Sequence, residues 1–274
     1  MRKKGFWQIL LVTVMLITLS ACERSNALKI TLTGSSTIAP LMMEFGRAFE
    51  KLHPHTRIDV QTGGSSRGIE DTRAGLADIG MVSRPLTNTE GDLIAHTVAY
   101  DGISLIINKT NPVSVLSDEQ IIAIYQGKVN NWQTVGGPDQ EITVVNKAEG
   151  RSTLELFLKY FKLQNKQIKA DIIIGDNQQG IKTVAGNLWA IAYVSIGSAE
   201  YEEQHGSAIK LLGVGGKTAS TKSVKQGYYP LSRPLNIVTK GAPQGLKKEF
   251  IDFAQSSQVV DLVNQQYFIS IVTP

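Results

Sequence analysis

Three short segments rich in Gly, Ser and Thr stand where helices are expected to begin: Gly34-Ser35-Ser36-Thr37, Gly63-Gly64-Ser65-Ser66-Arg67-Gly68 and Glu149-Gly150-Arg151-Ser152-Thr153. Each joins hydroxyls to the unpaired N–H groups of a helix N-terminus, where partial positive charge favours an anion. One such loop reads as an ordinary cap, because Ser and Thr are good N-cap residues. Three of them, two with an Arg built in, predict a single oxyanion held by converging helix ends. In the first, Ser36 and Thr37 offer hydroxyls while the Thr37 and Ile38 amides point at the ligand. In the second, paired glycines let the backbone approach closely, and Ser65, Ser66 and Arg67 add donors. In the third, Arg151 precedes Ser152 and Thr153 at a helix start, where a cation is unfavourable unless an anion lies between. Arg84 follows the short apolar stretch 78–83 and could clamp an oxyanion with its fork; a surface pairing with Glu90 or Asp92 is the competing expectation.

Other chemistry is poorly served. Gly213-Val214-Gly215-Gly216-Lys217-Thr218 ends like a phosphate-cradling P-loop, but Leu211 stands where that motif needs Gly, and no helical pattern follows. There is no Gly-x-Ser-x-Gly nucleophile elbow. The four histidines, His53, His55, His96 and His205, lack metal-ligand company. Adjacent carboxylates such as Glu202-Glu203 read as a solvated helix face. A binding protein without cofactor or metal is therefore expected, not an enzyme.

The elements that must position these loops alternate between strand and helix. Strands are expected over 28–32, 57–62, 78–82, 102–108, 142–146, 190–194, 209–212 and 235–239. Helical spacing runs through Leu41, Met42, Phe45, Phe49 and Leu52 and is ended by His53-Pro54. Further helices are expected over 66–74, 152–160, 246–254 and 258–266. Ser117 with Gln120 forms a capping-box pattern for a helix reaching Tyr125, with Gly127 as its stop. Strand, anion-type loop and helix in repetition predict mainly parallel sheets, with ligand at the carboxyl ends of the strands.

The first residues read as an address. Arg2, Lys3 and Lys4 precede an apolar stretch from Gly5 to Leu19, too short for a span that needs roughly 20 residues and suited to a signal-peptide core. It runs into Leu19-Ser20-Ala21-Cys22, which resembles the bacterial lipobox; residues 1–21 are expected to be removed and Cys22 lipidated. Cys22 is the only cysteine, so no internal disulfide is expected. The chain carries 28 basic and 24 acidic residues, with three of the basic ones in the leader. So even a balance gives no support for nucleic-acid binding.

Taken together, Gly34–Pro40, Gly63–Ile69, Ala77–Pro85, Tyr100–Asn108, the Tyr125–Gly137 stretch with Asn131-Trp132, and Tyr229–Thr239 resemble the phosphate-binding proteins of Pst-type ABC transporters. The resemblance covers essentially all of the chain after the leader. It implies an α/β type II periplasmic-binding-protein fold, two α/β lobes joined by two crossing segments with a ligand cleft between them. The lobes would be 28–107 plus 235–274, and 108–234, with crossings near 107–112 and 229–236. It also implies an extracytoplasmic, lipid-anchored monomer that binds inorganic phosphate and delivers it to ABC permease subunits. The alternatives are a receptor for another oxyanion and a phosphate-sensing surface lipoprotein. Family contacts carry onto Ser36, Thr37, the Ile38 amide, Ser65 and the 147–153 loop.

Two departures stand out. Some members place an Asp about where Arg84 sits, and it accepts the proton that distinguishes hydrogen phosphate from sulfate; Asp101 is the expected substitute. A common family loop is Arg-x-x-Gly-Ser-Gly-Thr, whereas here Lys147 leads and Arg151 lies inside.

Overall fold

The computed structural model describes residues 27–272. The lipobox, Cys22 and the leader lie outside them. No helix among the described residues is long and apolar enough to cross a membrane.

The strands are β1 (Leu28–Gly34), β2 (Thr56–Thr62), β3 (Ile79–Val82), β4 (Leu93–Asn108), β5 (Thr143–Lys147), β6 (Ile172–Ile174), β7 (Ala190–Ser195), β8 (Ile209–Leu212), β9 (Ser232–Lys240) and β10 (Ile269–Ser270). The α-helices are α1 (Ala39–Leu52), α2 (Ser65–Ala74), α3 (Asp118–Tyr125), α4 (Ser152–Phe161), α5 (Asn177–Gly186), α6 (Ile196–Gln204), α7 (Thr221–Lys225), α8 (Gly245–Ala254) and α9 (Val260–Gln265). The hydrogen-bonded order is β2-β1-β3-β9-β4-β7-β5-β6, with β8 and β10 also on β4.

Local chemistry explains most of these elements. α1 buries Leu41, Met42, Phe45 and Phe49 on one stripe and carries Pro near its start, where a missing N–H is harmless. The predicted capping box forms: the Ser117 hydroxyl accepts from the Gln120 amide, and the Gln120 side chain accepts from the Ser117 amide. α2 needs Gly68, because a Cβ there would stand 2.8 Å from Thr33 O and 2.9 Å from Met81 O. That close approach seats the start of α2 directly on the ends of β1 and β3.

Two hydrophobic cores flank the cleft. One gathers Leu32, Phe45, Met81, Ala99, Leu235 and Phe250. The other gathers Ile103, Leu105, Ile107, Trp132, Phe157 and Tyr193. A smaller cluster with Ile106, Ile174 and Val194 covers the opposite face of the second sheet, as the period-2 alternation along β4 requires.

The 16-residue β4 links the two sides by changing partners along its length. Residues Leu93–Gly102 pair antiparallel with β9, Ile103–Ile107 with β7 and Leu105–Asn108 with β8. The exchange at Gly102–Ile103 lies upstream of the boundary at Ile107 expected from sequence, because the side chains of Ile103, Leu105 and Ile107 already fill the second core. Mainly parallel sheets were expected. Pairs β1–β2, β1–β3, β5–β6 and β5–β7 are parallel, but every pairing of β4 and β9 is antiparallel. Strands that cross between two α/β units must run against those they join.

Candidate anion-binding site

Four helix starts meet at the cleft. Thr37 lies just ahead of α1, Ser65 opens α2, Ser152 and Thr153 open α4, and Asn177 opens α5. Ser35, Thr37, Ser65, Ser83, Ser152, Thr153 and Asn177 are all buried. What ties them together is Arg233, which is 1 % exposed. Its Nη1 donates to Thr153 Oγ1 at 3.0 Å and Ser83 Oγ at 3.4 Å, and its Nη2 to Thr37 Oγ1 at 3.3 Å.

Arg233 is itself held by Asp101, its directly opposite partner in the β4–β9 ladder. Asp101 Oδ2 accepts from Arg233 Nε at 3.0 Å and Nη2 at 2.8 Å, and Oδ1 accepts from the Gly197 amide at 3.2 Å. Asp101 therefore aims Arg233 and ties the start of α6. Three protein donors converge on this carboxylate, which can accept about four, so holding Arg233 and the α6 start is its use in this structure.

A hydroxyl that accepts a hydrogen bond still has its own proton to donate. Thr37 Oγ1 accepts from Arg233 and from Asn177 Nδ2 (3.2 Å), and Ser83 Oγ from Arg233 and from Ser35 Oγ (2.9 Å). Ser65 Oγ accepts from the Ser83 amide at 3.2 Å, and Thr153 Oγ1 from Arg233. The guanidinium thus turns a ring of hydroxyls outward as donors. Ser152 Oγ and Arg151 Nε are buried with no protein partner. Unsatisfied buried donors of this kind call for an acceptor.

The charge balance points the same way. Asp101 neutralises Arg233, but Lys147 and Arg151 enter none of the ion pairs among the described residues. Lys147 is buried, with Nζ donating to Asn177 Oδ1 at 3.1 Å. Burial pulls its ammonium down to about 7, assisted by Arg233 and Arg151 and opposed by Asp176. Donor hydroxyls beside two such cations are chemistry suited to an oxyanion. No cluster of residues suited to a metal occurs among the described residues. The groove of about 700 Å³ lined by Tyr100, Val224, Phe268 and Ile271 shares none of these hydroxyls.

Of the residues expected from sequence, Thr37, Ser65, Arg151, Ser152 and Thr153 are brought together. Ser36 sits half-buried in the turn between β1 and α1, and Ile38 is the buried residue that precedes α1. Arg84 is elsewhere in its bonding. Its Nη1 and Nη2 donate to Glu90 at 2.8 and 2.9 Å, and its Nε to Glu155 at 2.5 Å. Burial would lower its basicity, but Glu90 and Glu155 outweigh that and hold it above the ordinary arginine value. Glu90 is fixed for this by accepting from the Thr87 amide at 2.8 Å. Arg84 is therefore ion-paired with Glu90, as the competing expectation had it, but it is buried rather than on the surface and its second partner is Glu155, not Asp92.

Sequence reasoning passed over Arg233, Ser83 and Asn177, and left Lys147 in doubt. The signal for the first was present: Arg233 is a charge just ahead of the apolar strand residues Leu235, Ile237 and Val238, and Asp101 is another at the edge of Gly102–Asn108. Two buried charges on neighbouring strands must pair.

Residues 20–258 match the family model of the PBP superfamily domain. A chain from Clostridium perfringens, described as a phosphate ABC transporter substrate-binding protein with bound phosphate, is 31% identical, with a TM-score of 0.82 over 89% of this chain and 100% of that one. The chain belongs to this family of phosphate ABC transporter substrate-binding proteins. An ABC-type phosphate transport receptor from Vibrio cholerae is also 31% identical, with a TM-score of 0.72 over 89% of this chain and 100% of that one. The phosphate-binding protein PstS of Bacillus subtilis is 27% identical over 99% of this chain and 95% of its own length. The two-lobe type II periplasmic-binding-protein fold is thus the fold of this binding protein.

Its cleft is shut. The Ser66 amide donates to Gly150 O at 3.2 Å, and Arg84 reaches across to Glu155. Gly64, at φ +96°, permits this contact, since a Cβ there would stand 2.6 Å from Gly150 O. The Arg84–Glu155 pair bridges the cleft, while Glu90 holds the same guanidinium from its own side. Glu155→Gln is expected to speed phosphate release roughly two- to fivefold, within the range of one partly exposed ion pair. Stopped-flow release would check this, and an unchanged off-rate would make the pair a bystander.

Proposed function

We propose that this chain is an extracytoplasmic receptor that binds inorganic phosphate in the cleft and delivers it to an ABC permease. The observation that carries this is the ring of outward-facing hydroxyls around Arg233, beside two cations that have no carboxylate of their own. Thr37, Ser65, Ser83, Ser152 and Thr153 donate to the anion, Arg151 closes over it, and Lys147 lies behind it. Ser36 and the Ile38 amide complete the edge next to α1. Closure is favoured because the anion meets donors from both sides only in the shut state. Charge-assisted hydrogen bonds in this dry site readily supply the roughly 8 kcal/mol of micromolar affinity.

The remaining parts of the reading rest on sequence. Lobe one is 28–107 plus 235–274 and lobe two 108–234, as coarse bounds around the exchange within β4. Cys22 carries the lipid anchor, and the protein works as a monomer without cofactor. The family's named relatives are binding proteins, which supports a receptor rather than an enzyme.

Titration calorimetry of phosphate into the soluble chain, stripped of ligand, tests this directly. Micromolar or tighter binding that excess sulfate does not displace is expected. Sulfate displacement would favour a receptor for oxyanions in general, a reading supported by the engagement of Asp101 with Arg233 and by Arg84 standing in place of an Asp. Absence of binding to either anion would overturn both.

A further inference from the structure

Lys147 ends β5 just ahead of the Arg151–Thr153 loop, and its side chain enters the wall of the site at 3 % residue exposure. An ammonium has three N–H donors. One meets Asn177 Oδ1, whose amide nitrogen donates onward to Thr37 Oγ1, so a single side chain separates Lys147 from the hydroxyl ring. The groups facing it come from every neighbouring element. Arg233 comes from β9 and Arg151 from the loop ahead of α4, and Asp176 caps α5. From β7, the Tyr193 hydroxyl accepts from the Lys147 amide at 3.3 Å, and burial raises the pKa of that phenol and keeps it protonated. Asn146 on β5 accepts from Tyr193. Asp176 is the one acid in this set, against two guanidinium groups.

A buried ammonium with one acceptor and no counter-ion is unstable as a cation. In this shut cleft, burial and the two guanidinium groups hold the Lys147 ammonium down to about 7, so near neutrality it readily gives up its proton. An entering dianion reverses the balance, because a nearby opposite charge favours the protonated form.

We propose that Lys147 is a proton-coupled counter-ion of this site, taking one proton from solvent when the phosphate dianion enters and returning it on release. The neutral amine, a proton and HPO4²⁻ become an ammonium–HPO4²⁻ pair, and no other bond changes. This rests on the phosphate reading above and adds its regulation: the receptor holds ligand tightly at neutral pH and loosens as the medium becomes alkaline. Binding and protonation are reciprocal, so affinity falls about tenfold per pH unit where the free amine is neutral and the bound one charged.

The experiment is calorimetric titration of inorganic phosphate into the wild-type chain at pH 8.0, 8.5 and 9.0. At these values phosphate is already mostly the dianion and contributes little titration of its own. Repeating the pH 8.5 run in buffers of different ionisation heat counts the protons. Uptake close to one proton per phosphate, with Kd weakening about tenfold from pH 8.0 to 9.0, is expected. Lys147→Arg, which keeps its charge throughout, should bind without uptake and with a flat profile. Wild-type binding that is flat from pH 8.0 to 9.0, with no proton taken up, would overturn the inference and leave the receptor reading standing. No phosphate binding at any pH from 6 to 9 would overturn the receptor reading and this inference with it.

Discussion

Arg233→Met is expected to abolish phosphate binding and to lower the melting temperature by roughly 10 °C. Both effects follow from one geometry. Arg233 is the sole charge partner of Asp101 among the described residues, Asp101 is 1 % exposed, and breaking a buried pair on one side typically costs about 3–5 kcal/mol. For a domain of this size each kcal/mol lowers the melting temperature by about 2–4 °C. Binding fails for a second reason, since Thr37, Ser83 and Thr153 lose the donor that turns their protons outward. The double variant Arg233→Met/Asp101→Leu separates these effects. Removing both charges should recover much of the stability, as replacement of buried pairs often does, and none of the affinity. Calorimetry and thermal melts of both variants check this. Wild-type phosphate affinity in either would show that the anion does not depend on Arg233.

Arg151→Ala is expected to show the opposite signs, with affinity falling and the empty protein no less stable. Arg151 stands immediately ahead of α4, where its charge opposes the positive end of the helix dipole. In the absence of ligand its removal should raise stability by a few tenths of a kcal/mol. With ligand, the side chain supplies a cation and a buried Nε that no protein acceptor satisfies. Charge-assisted bonds are worth roughly 1.5–3 kcal/mol, so phosphate should bind about 10- to 100-fold more weakly. A melting temperature equal to or above wild type, with that loss of affinity, identifies Arg151 as a ligand contact. An unchanged Kd would remove it from the site.

Lys147 places a further constraint on any account of stability. Its amine is lowered in the fold from an ordinary value of 10.5 to about 7. The unfolded chain therefore binds the extra proton between those limits, and the ligand-free fold gains stability from this group as pH rises from 7 toward 10.5. Bound phosphate reduces that slope.

Much of the molecule was legible in sequence because its signals are local. The stripe of Leu41, Met42, Phe45 and Phe49, the Ser117–Gln120 box and the glycines ahead of α2 each act within a few residues. Helix starts rich in Ser and Thr announced an oxyanion for the same reason, and the misplaced Arg151 announced it most directly. α5 and α6 were missed because small residues such as Gly180, Gly197 and Ala199, rather than large apolar ones, face their partners.

What sequence alone determined, then, is the class of ligand and most of the hydroxyls gathered at the cleft, since a helix N-terminus carries its own anion chemistry. Only the tertiary structure decided how the charges are used. Asp101 and Arg233 are 132 residues apart, and Arg84 and Glu155 are 71 apart. Opposite charges are interchangeable partners until strand register and lobe closure set their distances. β4 and β9 lay Asp101 against Arg233, and the shut cleft adds Glu155 to the local Arg84–Glu90 pair. Arg151 and Lys147 are then the cations at the cleft with no ion-pair partner among the described residues.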